Sequence, residues 1–416
     1  MGNEIGNKYS FSGPSKKPIL SIILCARNDR YQGNSTWRLQ TALNYLGQSV
    51  HQLGREEDVE VIVSDWGSET PLRNALKLTQ EAARIVSFIL IPPDIARVEQ
   101  KDSPFPEVLS LNVAARRASG EYIGRIDQDI LVGRHFLKYF FWLHKKQRMI
   151  VPLNKAVMLS NRRRIPYRFA TRCPSFWKVD RFLRWFGRSL PLSAPPPPLF
   201  AYMSYIGILL FHRDLWYQCG GYDEQFIYMD CMEYDIILRL AKQNIFVNLG
   251  EIVDYDFFHL DHELPRKPLR YGRNRKTNPV RSVENPPELI NPNGENWGLI
   301  QYPLGVLPYP VVPARSNDDR FVKQPAEWLG FITTLLASGI QIAADLVIIG
   351  IQNAGVKIIR GVLVIKEKIA HSVIHIWWLF FAPATWKNRA RVARETVSGY
   401  PLLSWPRLLM VRWRKR

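Results

Sequence analysis

The sequence predicts an α/β fold, a mixed but mainly parallel sheet with helices on both faces, followed by a C-terminal amphipathic helical region. Three observations predict it. Short, continuous apolar runs alternate with segments of helical period from residue 18 to about 262, the pattern of parallel strands covered on both faces. Several of these runs stop at a polar cluster, as strands do where a ligand crevice opens beyond their carboxyl ends. The composition, 46% apolar and 22% charged over 416 residues, is that of a globular chain and excludes disordered, collagen-like and fibrous classes.

Residues 19–24 form the first β-type run and end at Arg27, Asn28 and Asp29; Leu39, Leu43, Leu46, Val50 and Leu53 then mark one face of a helix. A second buried strand is expected over 59–63, running into Asp65, with a helix after Pro71 and a third strand over 85–91. A helix over 109–118 precedes a strand over 121–126 that stops at Asp127, Gln128 and Asp129. The clusters at 27–29, 65 and 127–129 therefore converge on one crevice. Residues 154–200, with Arg162, Arg163, Arg164 and the proline run 195–198, read as an irregular basic insertion before a strand over 205–211.

The expected organisation is a polar tail (1–17), an α/β domain (18–265), a basic Pro/Asn-rich lid or linker (266–325) and an amphipathic membrane-association region with a basic tail (326–416). Leu329, Ile340, Ile351, Val362 and Val373 recur every eleven residues. Eleven residues in three turns keep an apolar stripe nearly straight along a helix. Such a stripe suits a helix lying in a membrane interface; packing on the domain and a transmembrane span are the alternatives, the span having to bury Asp345. Lys and Arg outnumber Asp and Glu by 56 to 37, giving +19, and +10 of this excess lies from Phe321 onward (14 basic, 4 acidic). The excess thus points to an anionic membrane surface rather than nucleic acid, for which no recognition motif is present. Cys25, Cys173, Cys219 and Cys231 lack CxxC spacing and read as free thiols of a reducing compartment. The N-terminal segment has no secretory apolar core, and Gly6 stands where a myristoylation signal needs Ser or Thr. The expected location is cytoplasmic, peripheral on the inner face of a membrane.

The segments SIILCARND, VEVIVSDWGSET, LNVAARRASGEYIGRIDQDI and GGYDEQFIYMDCMEYDIILRL resemble, in order and spacing over 18–262, the successive motifs of family 2 glycosyltransferases with the Rossmann-like GT-A fold. The resemblance implies transfer of a sugar from a nucleoside diphosphate donor, UDP-linked, with inversion and with Mn²⁺ or Mg²⁺. It makes Asp129 the metal ligand, with His259 or His262 completing the set. It puts Arg27, Asn28, Asp65, Asp127, Gly220 and Gly221 around the nucleotide sugar, and Glu233 at the position of the catalytic base. Trp66 and Met232 replace acids common in the family; this motivates the alternative of an inactive transferase-fold scaffold recruited to membrane. The implied acceptor is a glycan or a lipid-linked carbohydrate, with Arg162, Arg163 and Arg164 in the acceptor region.

Overall fold

The computed structural model describes residues 17–310 except Arg30, Gln32, 147–152, 194–205, 229–231, 242–243, 263–277 and 279–286. The region 326–416, nearly all of the 1–17 tail and most of the segment 266–325 lie outside the described residues.

In chain order the strands are β1 (Leu20–Ala26), β2 (Val59–Trp66), β3 (Val86–Ile91), β4 (Tyr122–Arg125), β5 (Ile130–Val132), β6 (Ala156–Asn161), β7 (Arg163–Ile165), β8 (Ile206–His212), β9 (Ile245–Asn248), β10 (Phe257–Leu260) and β11 (Val306–Pro308). Eight build the main sheet in the order β11-β3-β2-β1-β4-β8-β6-β9. β3, β2, β1 and β4 run parallel, as do β6 and β9; β8 and β11 pair antiparallel to their neighbours. β1 is apolar almost throughout because both its faces are covered. Leu20, Ile22 and Leu24 pack with Leu39, Leu43, Leu46 and Val50 of helix Ser35–His51, whereas Ile23 faces the core of helices Glu107–Arg117 and Met232–Ala241. Trp66 is fully buried in that second core, a packing residue. Among the described residues no helix is long and apolar enough to cross a membrane.

Helix Ser35–His51 touches helix Gln80–Ile85 so closely that a Cβ on Gly47 would stand 2.4 Å from Ala82 Cα. Gly47→Ala would gain about 1 kcal/mol of helix propensity but meet an overpacking cost of about 1–3 kcal/mol. With rigid backbone as the obstacle the cost should win, and thermal denaturation should report a lower midpoint.

Two segments differ from their sequence reading. Residues 154–193 are not an irregular insertion, and the proline run 195–198 lies outside the described residues: β6 is fully buried between β8 and β9, and helix Phe176–Phe186 packs Val179, Phe182 and Leu183 inward. Arg162, Arg163 and Arg164 hid this order, because each, in or beside the short strand β7, finds a carboxylate. Residues 287–310 are not a detached surface segment either. β11 extends the main sheet beside β3, and Trp297 is 1% exposed. Arg117 holds this segment by donating to the carbonyls of Gly298, Leu299, Tyr302 and Leu304. Pro and Asn richness signals turns but is blind to such long-range tethers.

Candidate active site

Parallel pairing of β1, β2 and β4 carries Arg27, Asp65 and Asp127 to one edge of the sheet. A small second sheet, β5-β10-β7, then folds across that edge. His259 in β10 lies in register with Ile130, and the Leu260 amide donates to the Asp129 carbonyl at 3.0 Å. Thus Asp129 and His259, distant in sequence, become neighbours through strand register.

Asp129, His259 and His262 offer one donor atom each, all within 4.8 Å of one another. His259 Nε2 is 3.5 Å from Asp129 Oδ1, and His262 Nε2 is 3.5 Å from Oδ2. Asp261 Oδ1 lies 3.3 Å from His259 Nδ1, the carboxylate partner that typically turns a ligating imidazole toward a metal. Burial lowers the pKa of His262 to about 4, leaving a neutral ring with a lone pair to offer; its Nδ1 is buried without a hydrogen-bond partner. Burial opposes ionisation of Asp129, but the two histidines and then Arg38 and Arg162 outweigh it and hold the pKa at about 2. Arg38, fully buried in helix Ser35–His51, donates to Asp129 Oδ2 at 2.5 Å and to the Tyr31 carbonyl at 2.9 Å. The three donors would fit a divalent cation. Two imidazoles and one carboxylate suit Mn²⁺ better than Mg²⁺, which prefers an all-oxygen shell.

The second feature is a buried cation with three carboxylates. Arg125, 3% exposed in β4, lies 2.7 Å from Glu107 Oε1, 2.8 Å from Asp127 Oδ1 and 3.0 Å from Glu233 Oε1. Glu233 occupies the first turn of helix Met232–Ala241, where a carboxylate is favoured by the helix dipole. Burial raises its pKa to about 7; Arg125 pulls it down, while Glu107 and Asp127 push it up. The Tyr222 hydroxyl is buried beside this group without a hydrogen-bond partner. Arg162 Nη1 is 2.5 Å from the other oxygen of Asp127.

The remaining sequence-predicted residues sit in more structural surroundings. Arg27 is bound to Asp29 at 3.0 Å and to the Pro104 carbonyl at 3.0 Å, over the ring of Phe105. Asn28 donates its amide to Ser68 Oγ at 2.8 Å, and the Ser68 hydroxyl donates to Asp65 Oδ1. Asp65 Oδ2 accepts from the Leu72 amide at 2.7 Å, and burial lifts its pKa to about 6. Both Asp65 oxygens therefore have partners that tie β2 to the following turn. Gly220 and Gly221 adopt positive φ (+64° and +71°), and a Cβ on Gly221 would lie 2.4 Å from Asn112 Oδ1. Their carbonyls accept from Asn293 and Arg239, so the pair is a locked turn behind the site. Arg163 and Arg164 reach Asp254 and Asp261, at 2.8 Å and 2.7 Å.

Sequence reasoning missed Arg38, Arg125 and Glu107. For Arg125 a signal existed: a lone cation inside a strand buried on both faces requires anionic company. Arg38 was harder, since a charge next to an apolar helix stripe usually faces solvent.

No family model matches the sequence, and no curated protein does. Among solved structures, that of S. aureus TarS 1–349 is similar at 16% identity and a TM-score of 0.37, over 58% of this chain and 60% of that one. S. aureus TarS 1–349 in complex with UDP-GlcNAc is similar at 14% identity and a TM-score of 0.36, over 59% of this chain and 60% of that one. This chain thus spans about 60% of the length of those structures.

Proposed function

We propose that the chain is an inverting glycosyltransferase, of the family 2 kind its motifs resemble. It moves a sugar from a UDP-linked donor to a glycan or lipid-linked acceptor at the cytoplasmic face of an anionic membrane. The observation that carries the reading is the adjacency of two groups. Asp129, which meets His259 and His262, is two residues from Asp127, which shares Arg125 with Glu233.

Glu233 accepts the proton of the acceptor hydroxyl while that oxygen attacks the anomeric carbon on the face opposite the departing diphosphate. Arg125 holds Glu233 Oε1, so Oε2 is the oxygen that receives the proton. A pKa of about 7 suits this task, since the carboxylate is ionised at working pH yet basic enough to take a proton. Asp127, held by Arg125 and Arg162, would contact the ribose. Asp129, His259 and His262 would hold Mn²⁺, which when bound supplies positive charge to the leaving diphosphate. Arg38 keeps Asp129 ionised and aimed.

The test uses the full chain with a panel of nucleoside diphosphate sugars, reading released nucleotide with and without Mn²⁺. One UDP-sugar should be turned over and the others ignored; absence of nucleotide release and of nucleotide binding across the panel would overturn the reading. Asp129→Asn should weaken Mn²⁺ binding at least tenfold by electron paramagnetic resonance while leaving the circular dichroism spectrum intact. Undiminished Mn²⁺ binding by that variant would remove the metal assignment.

A further inference from the structure

A strip of exposed tryptophans and cations lies away from the site. Helix Arg134–Lys146 buries Phe136, Leu137, Phe140 and Phe141 and turns His135, Lys138, Trp142 and Lys145 outward at helical spacing. Trp142 is 49% exposed, and Lys138 and Lys145 have no acidic partner among the described residues. A cavity of about 340 Å³ lined by Leu53, Arg55, Lys138, Phe141, Trp142 and Lys145 opens beside it. Three cations therefore ring an apolar floor, although Arg55 also meets Asp58 at 2.8 Å. At the N-terminal end of the helix, His135 contacts Arg188 at 3.2 Å. Arg188 follows helix Phe176–Phe186, where Trp177 is 57% and Trp185 65% exposed. Two acids interrupt the strip, Asp180 beside Arg184 and Asp254 beside Arg188.

We infer that this strip is a docking surface for an anionic phospholipid bilayer, with the cavity beside Trp142 seating a headgroup phosphate. Tryptophan is enriched at headgroup depth, and lysine near a membrane gains from anionic lipid. A protein partner would be the other way to cover exposed tryptophan, but lysine is depleted from protein interfaces, and here lysines flank Trp142 on both sides. The place in the fold also fits. β5 leads from Asp129 to Gly133, immediately before helix Arg134–Lys146. At 3.3 Å per residue this is about 13 Å, and Trp142 stands about 12 Å further along the helix, so an acceptor held in the bilayer at the His135 end of the strip has its reactive end near the site. Only that last point rests on the proposed reaction. Lipid contact is read separately from turnover.

The experiment is residue-resolved hydroxyl-radical footprinting of the full chain with phosphatidylglycerol–phosphatidylcholine vesicles, pure phosphatidylcholine vesicles or buffer. Oxidation of Trp142 and Trp185 should fall severalfold with the anionic vesicles alone, whereas Tyr217, 41% exposed elsewhere, should be unchanged. The K138E/K145E variant should lose more than tenfold in affinity for the anionic vesicles, on about fivefold per cation, with an unchanged circular dichroism spectrum. Equal oxidation of both tryptophans on and off bound vesicles would overturn the inference, since attachment would then run through another part of the chain. Protection already complete in buffer would also overturn it, assigning the strip to a second copy or another segment. So would full vesicle affinity in the lysine variant.

Discussion

Glu233→Gln should lower kcat by about 10²–10⁴-fold, the usual worth of a general base, while donor affinity stays within a factor of two or three. The amide keeps the size of the side chain and can still meet Arg125, but it takes up no proton near neutral pH. Because the wild-type pKa stands at about 7, kcat/KM should rise about tenfold per pH unit below that point and level off above it. The sign follows from the chemistry: the ionised carboxylate is the active form, and burial favours the protonated one. Glu107→Gln removes a charge that pushes Glu233 upward, so the rising limb should move to lower pH. A Glu233→Gln enzyme with near-normal kcat, or a wild-type rate flat from pH 5 to 8, would remove the base assignment.

Arg125→Met should be the most damaging single change to stability and activity together. The guanidinium is buried and lies within 3.0 Å of three carboxylates. Without it those groups repel one another in a low-dielectric setting, and removing one partner of a buried ion pair costs about 3–5 kcal/mol. The carboxylates would respond by taking up protons, so Glu233, which Arg125 holds down, should titrate at still higher pH. The variant should melt at a lower temperature and show its kcat/KM limb displaced upward. Arg125→Lys keeps the charge but not the planar fork, and should recover part of the stability with less of the rate. A melting temperature and pH profile both like wild type in Arg125→Met would show that the three acids do not depend on this cation.

Strand and helix periods are local properties, and much of the architecture could be read from them. The continuous apolar runs at β1, β2 and β3 announce buried parallel strands, and the structure pairs them in register, Leu20 with Val59 and Val61 with Val86. The polar stops at Arg27, Asp65 and Asp127 follow from the same logic, since carboxyl ends of parallel strands share one edge. The sequence by itself therefore determined an α/β sheet and the edge where its polar clusters gather, while Asp129, Glu233, His259 and His262 were named as candidates through the motif resemblance. Only the tertiary structure decided how those groups are held. Arg38 reaches Asp129 across 91 residues of sequence, and Arg125 joins Glu107 and Glu233, from two different helices, to Asp127 just beyond its own strand. The placement of His259 depends on the register of β10 against β5, and the edge strand β11 on tethers from Arg117. Side-chain partnerships of this kind arise when distant segments share a low-dielectric interior where a lone charge is prohibitively costly. No local window of sequence contains that information.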